Sequence, residues 1–269
     1  LLALIVWTIW GNTALMVNSI TVSGNQIPSE FSGFRIAQIS DLHNAEFGEG
    51  NSHLLNSLSE SKPDMIAITG DLVDAQHTNI DVALSFAEKA VQIAPVYYVT
   101  GNHEASLSQY SELKTGLEAA GVIVLEDKAI QLEHNGGIVT LMGLSDPNFT
   151  IKSNIFDEVP AMISTKLNDL MENKVGYTIL LSHRPELFDT YVSCGVDLVL
   201  SGHAHGGQFR LPLIGGLVAP NQGFFPKYDA GLYSDGGTNM VVSRGLGNSI
   251  IPLRFNNRPE IVLVELKAD

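Results

Sequence analysis

The chain has 269 residues, 45% of them hydrophobic, and it contains no low-complexity tract or internal repeat. A chain of this length and composition can bury a large core, which excludes a disordered or fibrous protein. Its net charge of −14 arises from 15 Lys and Arg against 29 Asp and Glu, without any run of basic residues. A nucleic-acid partner is therefore not expected, because such partners are bound by clustered positive charge.

The N-terminus is strongly apolar. Nine of the first ten residues, LLALIVWTIW, are apolar, but polar residues at 11–13 leave the stretch too short for a complete spanning helix. No Lys or Arg precedes Arg35, and a flank without positive charge is typical of the outer side of a membrane. We expect residues 1–17 to be a truncated membrane anchor or an apolar N-terminal segment, and residues 18–269 to form one domain outside the cytoplasm.

Three strand–loop–helix units follow. The short apolar runs FRIAQIS, MIAIT and VYYVT predict buried strands, and each run leads into polar residues. The stretches after them carry apolar side chains at helical spacing, which predicts helices over 51–61, 80–93 and 106–120. Repeated units of this kind favour a layered α/β fold with parallel strand pairing.

The second half of the chain is richer in strands. VIVLED, AIQLEH and GIVTLMGL lie close together, and NGG at 135–137 predicts a hairpin turn between the last two. A helix is predicted over 160–171, and further strands over YTILLSH, VDLVLSG, NMVVSRG and EIVLVEL. This count fits two packed mixed β-sheets flanked by helices, a four-layer α/β/β/α arrangement.

Five of the predicted strand ends carry polar residues of similar chemical type. In α/β sheets, ligands bind beyond the carboxyl ends of the strands, so we expect these five clusters to meet in one place. The clusters are Asp41 with His43, Gly70 with Asp71, Gly101 to Glu104, Ser182 with His183, and His203 with His205.

The residue types in these clusters point to metal binding. Carboxylate, amide and imidazole donors suit Mn, Zn or Fe. Seven ligands exceed what one four-coordinate ion can use, whereas two ions that share a carboxylate would use them all. Two divalent ions would also make the cleft of an acidic protein positive enough to accept an anion. The seven predicted ligands are Asp41, His43, Asp71, Asn102, His183, His203 and His205.

The same blocks carry a resemblance to a known family. DLH, GD, GNHE, SH and GHAH occur in order between residues 41 and 205, and together they resemble the calcineurin-like metallophosphoesterases. The apolar N-terminus and the extensions FRIAQISDLHN and GHAHGGQFRLP are similar to a membrane-anchored bacterial branch, the YkuE- and YaeI-type phosphoesterases. The resemblance implies that residues 18–269 are a catalytic domain with the four-layer fold, and the expected activity is that of a phosphodiesterase.

The resemblance also implies a role for each residue. A hydroxide bridging two metal ions would attack phosphorus, and His103 would contact the phosphate and protonate the leaving oxygen. His103 and the bridging ligand Asp71 are thus the expected catalytic residues. The ligands divide into Asp41, His43 and His205 for the first ion, Asn102, His183 and His203 for the second, and Asp71 for both.

Several neighbouring residues keep more than one interpretation. Glu104 and Arg184, directly beside predicted ligands, contact substrate, orient a ligand or form an internal ion pair. Arg210 is a candidate for binding a distal phosphate. The aromatic-rich stretch around Phe224 and Phe225 either borders the cleft, facing substrate or lipid, or pins a long loop to the body.

Two further functions also stay open. One is a diphosphatase acting on lipid-linked nucleotide sugars, which is compatible with the anchor and the aromatic stretch. The other is a non-catalytic scaffold that keeps its metals for structure, although such a scaffold is expected to lose ligands or the proton donor, and this chain retains them all. The expected partners are a phosphoester substrate and a membrane, contacted through the N-terminus.

Overall fold

The computed structural model describes residues 2–151, 158–248 and 253–269, and of residues 2–5 the backbone alone. The described helices, in chain order, are α1 (Leu2–Thr13), α2 (Ser52–Ser61), α3 (Ile80–Ala90), α4 (Asn102–Ser106), α5 (Tyr110–Ala119), α6 (Val159–Met171) and α7 (Phe188–Ser193). The described strands are β1 (Met16–Gly24), β2 (Arg35–Ile39), β3 (Met65–Thr69), β4 (Val96–Val99), β5 (Ile123–Val124), β6 (Lys128–His134), β7 (Gly137–Gly143), β8 (Thr178–Leu181), β9 (Leu198–Ser201), β10 (Arg210–Leu211), β11 (Gly215–Gly216), β12 (Val218–Ala219), β13 (Gly223–Phe224), β14 (Gly231–Asp235), β15 (Thr238–Val242) and β16 (Glu260–Ala268).

Most of the strands form two mixed six-stranded sheets. The first has the order β1-β16-β2-β3-β4-β5, and β2 to β5 run parallel in it. The second has the order β14-β15-β9-β8-β7-β6, with antiparallel pairs at its two edges. The parallel strands alternate with helices because a parallel connection needs a crossover, which here is α2, α3 or the pair α4 and α5.

The core is divided into three apolar layers. The faces of the two sheets that meet each other form the central layer, in which Ala67 of β3 and Leu200 of β9 belong to one cluster. Ile68 of β3 packs with Phe86 of α3 on the outer side of the first sheet. Helices α6 and α7 cover the outer side of the second sheet. Both faces of the central strands are buried, which explains their continuous apolar sequences, and the predicted α/β/β/α sandwich is confirmed.

The structure differs from the prediction in several elements. The helix predicted over 106–120 is α5 (Tyr110–Ala119), and a separate short helix that was not predicted, α4 (Asn102–Ser106), places GNHE at a helix start. Strand β1 was not predicted, because its alternation of apolar and polar residues follows directly on the apolar N-terminus. It is an edge strand with one largely exposed set of side chains. Helix α7 and the short hairpins β10–β11 and β12–β13 were also missed, since each is too short for a periodic pattern.

Helix α1 covers the apolar N-terminal segment up to Thr13, whereas Met16 and Val17 belong to β1. Its end is tied to the body: Arg258 donates to the carbonyls of Ala14 and Leu15, both at 2.8 Å. Across the residues that the structure describes, none of the helices combines the length and the apolar composition needed to cross a bilayer.

Candidate dinuclear metal centre

The predicted ligands lie directly after β2, β3, β4, β8 and β9, where the strands of the two sheets end. The backbone turns sharply there, with φ of +54° at both Asp41 and Asp71 and +46° at His43. Such angles are uncommon outside glycine and cluster at functional sites. Gly70 allows two of the loops to meet, since a Cβ at this residue would lie 2.7 Å from the backbone nitrogen of Gly101.

The first group of side chains contains Asp41, His43 and His205. His205 Nε2 lies 3.3 Å from His43 Nε2 and 3.4 Å from Asp41 Oδ1. His43 Nε2 lies 3.9 Å from the same Asp41 oxygen. Residues 162 positions apart in the chain thus present their donor atoms to one point.

The second group contains Asp71, His183 and His203, together with Asn102. His183 Nε2 lies 3.2 Å from Asp71 Oδ2 and 3.2 Å from Asn102 Oδ1. His203 Nδ1 lies 3.1 Å from His183 Nε2. The structure therefore brings together all seven side chains that the sequence predicts as ligands.

The spacing of these atoms fits a pair of divalent ions. Ligands held at about 2.0–2.2 Å from one ion lie roughly 3–3.5 Å apart, which is close to the separations in both groups. The carboxylate of Asp71 belongs to the second group, yet its Oδ2 is only 3.7 Å from His43 Nε2 of the first. The two groups therefore adjoin at Asp71, and their buried nitrogen and oxygen donors form a site suited to two ions.

Burial keeps most of the imidazoles neutral. It lowers the pKa of His43 to about 3, and burial with the nearby charge of Arg254 does the same for His205. Burial and the charge of Arg184 hold the pKa of His203 well below its ordinary value. A neutral imidazole is the form that binds a metal ion, so these three rings are ready to act as ligands at pH 7.

Asp71 and His183 are instead an ion pair. Burial opposes the charge on both, but their mutual attraction outweighs it: the pKa of Asp71 lies well below its ordinary value, and that of His183 is raised to about 10. An ion bound to the second group would take over the role of the proton on His183. Asp41 differs from Asp71, because burial raises its pKa above the ordinary range.

His103 lies next to both groups. Its ring centroid is 4.4 Å from that of His43, and its donor atoms come within reach of Asp71. The backbone N–H of Ala75 donates to His103 Nδ1 at 3.1 Å. Because a nitrogen that accepts a hydrogen bond carries no proton, the neutral ring holds its proton on Nε2.

Glu104 holds two of the loops in place. Its buried carboxylate accepts hydrogen bonds from the backbone N–H groups of Gly101, at 2.7 Å, and of Asp71 and Leu72, both at 2.8 Å. Burial and the neighbouring charge of Asp71 raise its pKa to about 7. Of the three interpretations left open by the sequence, orientation of a ligand is the one that these contacts favour.

Arg184 forms a buried ion pair beside the second group. Its guanidinium donates to both carboxylate oxygens of Asp146, at 2.6 and 2.9 Å, and its Nη1 lies 3.1 Å from His203 Nε2. Arg184 is thus an ion-pair residue and also a neighbour of a predicted ligand. Asp146 follows the end of β7, so the rule that located the other strand-end clusters would have located it as well.

Arg210 and the two phenylalanines lie farther along the chain. Arg210 Nη1 lies 2.9 Å from Asp229 Oδ2 and donates to the carbonyl of Gly206 at 2.8 Å, so this guanidinium is paired within the fold. Phe224 and Phe225 are 80% and 65% exposed and do not pin their loop to the body.

The fold and the centre together define a class of protein, a metal-dependent phosphohydrolase built from two packed sheets. Comparison with known families agrees with this class. The chain belongs to the calcineurin-like phosphoesterase family, whose profile matches residues 34–207. That range contains every predicted ligand.

Curated relatives cover most of the chain. An uncharacterized metallophosphoesterase, YkuE of Bacillus subtilis, is 30% identical over 92% of this chain and 84% of its own length. The phosphodiesterase YaeI of Escherichia coli is 29% identical over 87% and 82%. A "transmembrane protein with metallophosphoesterase domain" from Danio rerio is 29% identical over 93% of this chain but 57% of its own length. The resemblance to YkuE- and YaeI-type proteins is therefore confirmed.

Solved structures share the fold at low sequence identity. TT1561 of Thermus thermophilus aligns with a TM-score of 0.55 and 15% identity, over 80% of this chain and 91% of that one. The phosphopantetheinyl hydrolase PptH of Mycobacterium tuberculosis aligns with a TM-score of 0.50 and 15% identity, over 79% and 89%. These similarities support the fold class alone.

Proposed function

We propose that the chain is a phosphodiesterase that uses two divalent ions of Mn, Zn or Fe. The observation that carries the proposal is the position of Asp71, whose carboxylate adjoins both groups of donor atoms. A carboxylate that adjoins both groups would be able to serve as a ligand of two ions at once. The name of the relative YaeI, a phosphodiesterase, favours a diester over a monoester as substrate.

In this proposal the seven ligands serve only to hold the ions. Bound there, two ions supply positive charge to the phosphoryl oxygens and lower the pKa of a water molecule. The side chains would bind the ions without large rearrangement, because their donor atoms already converge and all of them except Asn102 are buried. Asp41, His43 and His205 would hold one ion, Asn102, His183 and His203 would hold the other, and Asp71 would be a ligand of both.

His103 has a separate task, the delivery of a proton. The neutral ring carries its proton on Nε2, since Nδ1 accepts the N–H of Ala75. In the proposed reaction the ring takes up a second proton and becomes an imidazolium, with Asp74 Oδ1 4.0 Å from its Nδ1. Its Nε2–H donates a hydrogen bond to the phosphoryl group and passes its proton to the departing alkoxide, which leaves the ring neutral again.

The experiment is metal analysis coupled to a substrate panel. Protein stripped by a chelator is reloaded with Mn²⁺, Zn²⁺ or Fe²⁺, and hydrolysis of bis-p-nitrophenyl phosphate is compared with that of p-nitrophenyl phosphate. We expect two equivalents of bound ion and faster hydrolysis of the diester. The variant His53→Ala, which removes an exposed imidazole outside the centre, is the matched control. Two bound ions without hydrolysis of any ester would favour the metal-bearing scaffold instead.

A lipid-linked diphosphate is a second proposed substrate, hydrolysed outside the cytoplasm by protein held at a membrane. Exposed apolar side chains favour it: Trp7 and Trp10 on α1, and Leu213 and Phe224 at the two short hairpins. Tryptophan is enriched at membrane interfaces, and apolar residues at hairpin tips are costly in water. The transmembrane name of the Danio rerio relative points the same way.

Two measurements test the membrane binding and the outward orientation that this second proposal requires. The protein is mixed with neutral phosphatidylcholine vesicles and floated on a density gradient, alongside the double variant Trp7→Ser, Trp10→Ser. We expect the unaltered protein to float and the variant to float less. Protease added to intact cells should digest the protein if it faces outward. Protein that stays at the bottom of the gradient and resists protease in intact cells would contradict the proposal.

A further inference from the structure

The side chain of Asn12, near the end of α1, pairs with the backbone of a distant residue. Its Oδ1 accepts the N–H of Arg254 at 2.8 Å, and its Nδ2 donates to the carbonyl of the same residue at 3.0 Å. The Asn12 amide thus satisfies both backbone hydrogen-bonding groups of Arg254, as the backbone of a paired strand would. This pair of hydrogen bonds fixes the position of Arg254 relative to α1. Nδ2 also donates to the backbone carbonyl of Thr8, one turn earlier in α1, at 2.7 Å.

The side chain of Arg254 is among the most deeply buried in the described protein, with 1% of its surface exposed. Its Nη1 donates to the carbonyl of Arg244 at 2.7 Å, its Nε donates to Asn248 Oδ1 at 3.1 Å, and its Nη2 donates to the carbonyl of Gly247. One planar guanidinium therefore holds three points of the segment 244–248. A lysine has no comparable rigid fork.

The segment 244–248 in turn supports a predicted ligand of the first ion. The N–H of Gly247 donates to the carbonyl of Asp41 at 2.7 Å, and the N–H of Leu246 donates to that of Ser40 at 3.0 Å. Gly245 lies so close that a Cβ there would come within 2.7 Å of Asp41 Cβ. The segment 244–248 therefore stabilises the left-handed backbone of Asp41.

Arg254 also reaches a second ligand of the same ion. Its Nη2 lies 3.5 Å from His205 Nδ1, the ring nitrogen opposite the one that faces His43 and Asp41. Two of the three donors of the first group thus depend on one arginine. The second group is supported differently, by Arg184 and Glu104.

We propose that Asn12 and Arg254 are positioning residues for the first metal ion. Asn12 fixes the backbone of Arg254, and the guanidinium holds Asp41 and His205 at the separation that the ion requires. The proposal rests on the metal assignment made above and adds that α1 controls the affinity of one half of the centre. A displacement of α1 would then weaken the first ion and leave the second in place.

The experiment measures each half of the centre by itself. The variant His183→Ala disables the second group and reports on the first, whereas His43→Ala disables the first and reports on the second. Asn12→Ala is introduced into both backgrounds, and binding of Mn²⁺ is followed by calorimetry and by the electron paramagnetic resonance of free Mn²⁺. We expect weaker binding in the His183→Ala background and unchanged binding in the His43→Ala background.

Arg254→Lys keeps a positive charge but loses the fork, so it separates geometry from charge. Loss of a residue that orients a metal ligand typically weakens binding by about 10- to 100-fold, and we expect this loss for the first ion alone. Asn12→Ala, which leaves the guanidinium in place, should give the same selectivity with a smaller loss. The matched control is Thr13→Ala, since this exposed hydroxyl bonds to Ile9 of its own helix.

The outcomes separate this inference from the proposed function. Two ions in the unaltered protein, with Asn12→Ala changing neither half or both halves equally, would overturn the positioning role and leave the proposed function standing. Fewer than two ions in the unaltered protein would overturn both. Arg254→Lys folds less securely because a buried ammonium cannot satisfy all three acceptors of the guanidinium, and the Asn12 variant keeps the test decisive in that case.

Discussion

The two halves of the candidate metal centre, which are the first and second groups of side chains, differ in the protonation of their imidazoles. In the first half, His43 and His205 are kept neutral by burial, with a pKa of about 3 for each. In the second half, His183 is charged and paired with Asp71, with a pKa of about 10. One half thus holds a charged imidazole paired with a carboxylate before any metal arrives, whereas the imidazoles of the other half are unprotonated.

The surroundings of the halves differ as well. Arg184, paired with Asp146, touches the second half through His203, and Arg254 touches the first through His205. Both arginines are buried, but Arg184 has a carboxylate partner while Arg254 donates to the carbonyls of Arg244 and Gly247 and to an amide oxygen. The comparison teaches that two metal sites with a shared ligand can differ in metal affinity, because different buried arginines contact the ligands of each site.

The largest effect is expected where the halves meet. Asp71→Asn removes the charge that both ions would share, so both should be lost or bound weakly. Several kcal/mol of charge stabilisation would go with them, which corresponds to roughly a thousandfold or more in rate. Metal analysis and diester hydrolysis measure the two effects. A variant that keeps two full equivalents of metal would show that Asp71 does not bridge.

A smaller effect is expected from a residue assigned to neither half. His103→Ala should retain both ions and slow diester hydrolysis by about a hundredfold, the loss typical of a general acid. The matched control is His77→Ala, which removes an exposed imidazole from a nearby loop. An unaltered rate would remove the proton-donor role, and loss of an ion would make His103 a ligand instead.

Arg184→Lys should affect the second half alone. The ammonium keeps the charge but cannot reproduce the two parallel bonds to Asp146, so His203 loses a fixed neighbour. We expect about 10- to 100-fold weaker binding of the second ion and no change in the first. Mn²⁺ titration in the single-site backgrounds gives both values, with Arg35→Lys, in an exposed ion pair, as control. Equal losses in the two halves would contradict the division between them.

The smallest effect is expected in the pH dependence of metal binding, because only one half must release an imidazole proton. At pH 7 His183 carries a proton, which the second ion must displace, whereas His43 and His205 have none to lose. Below pH 10 the affinity of the second ion should therefore fall about tenfold for each unit by which the pH is lowered. Calorimetry in buffers of different ionisation enthalpy counts the released protons. The same count for both halves would refute this distinction.

The sequence alone predicted which side chains converge, because those residues lie directly after buried strands. Apolar runs such as MIAIT predicted buried strands, and polar residues directly after them predicted a site at the strand ends. The seven predicted ligands then stood out by chemical type, as donors for borderline metal ions. Strand β1 and the short helix α4 could not be predicted, since an edge strand and a five-residue helix leave weak periodic patterns.

The tertiary structure decided how those ligands are held. Nothing in the local sequence links Asn12 to Arg254 or Arg184 to Asp146, because such pairs form between residues that only folding brings together. The protonation of each half was likewise undetermined, since the same imidazole has a pKa of about 3 or about 10 according to the charges and solvent around it. Residue type can be read along the chain, but burial and neighbours exist only in three dimensions.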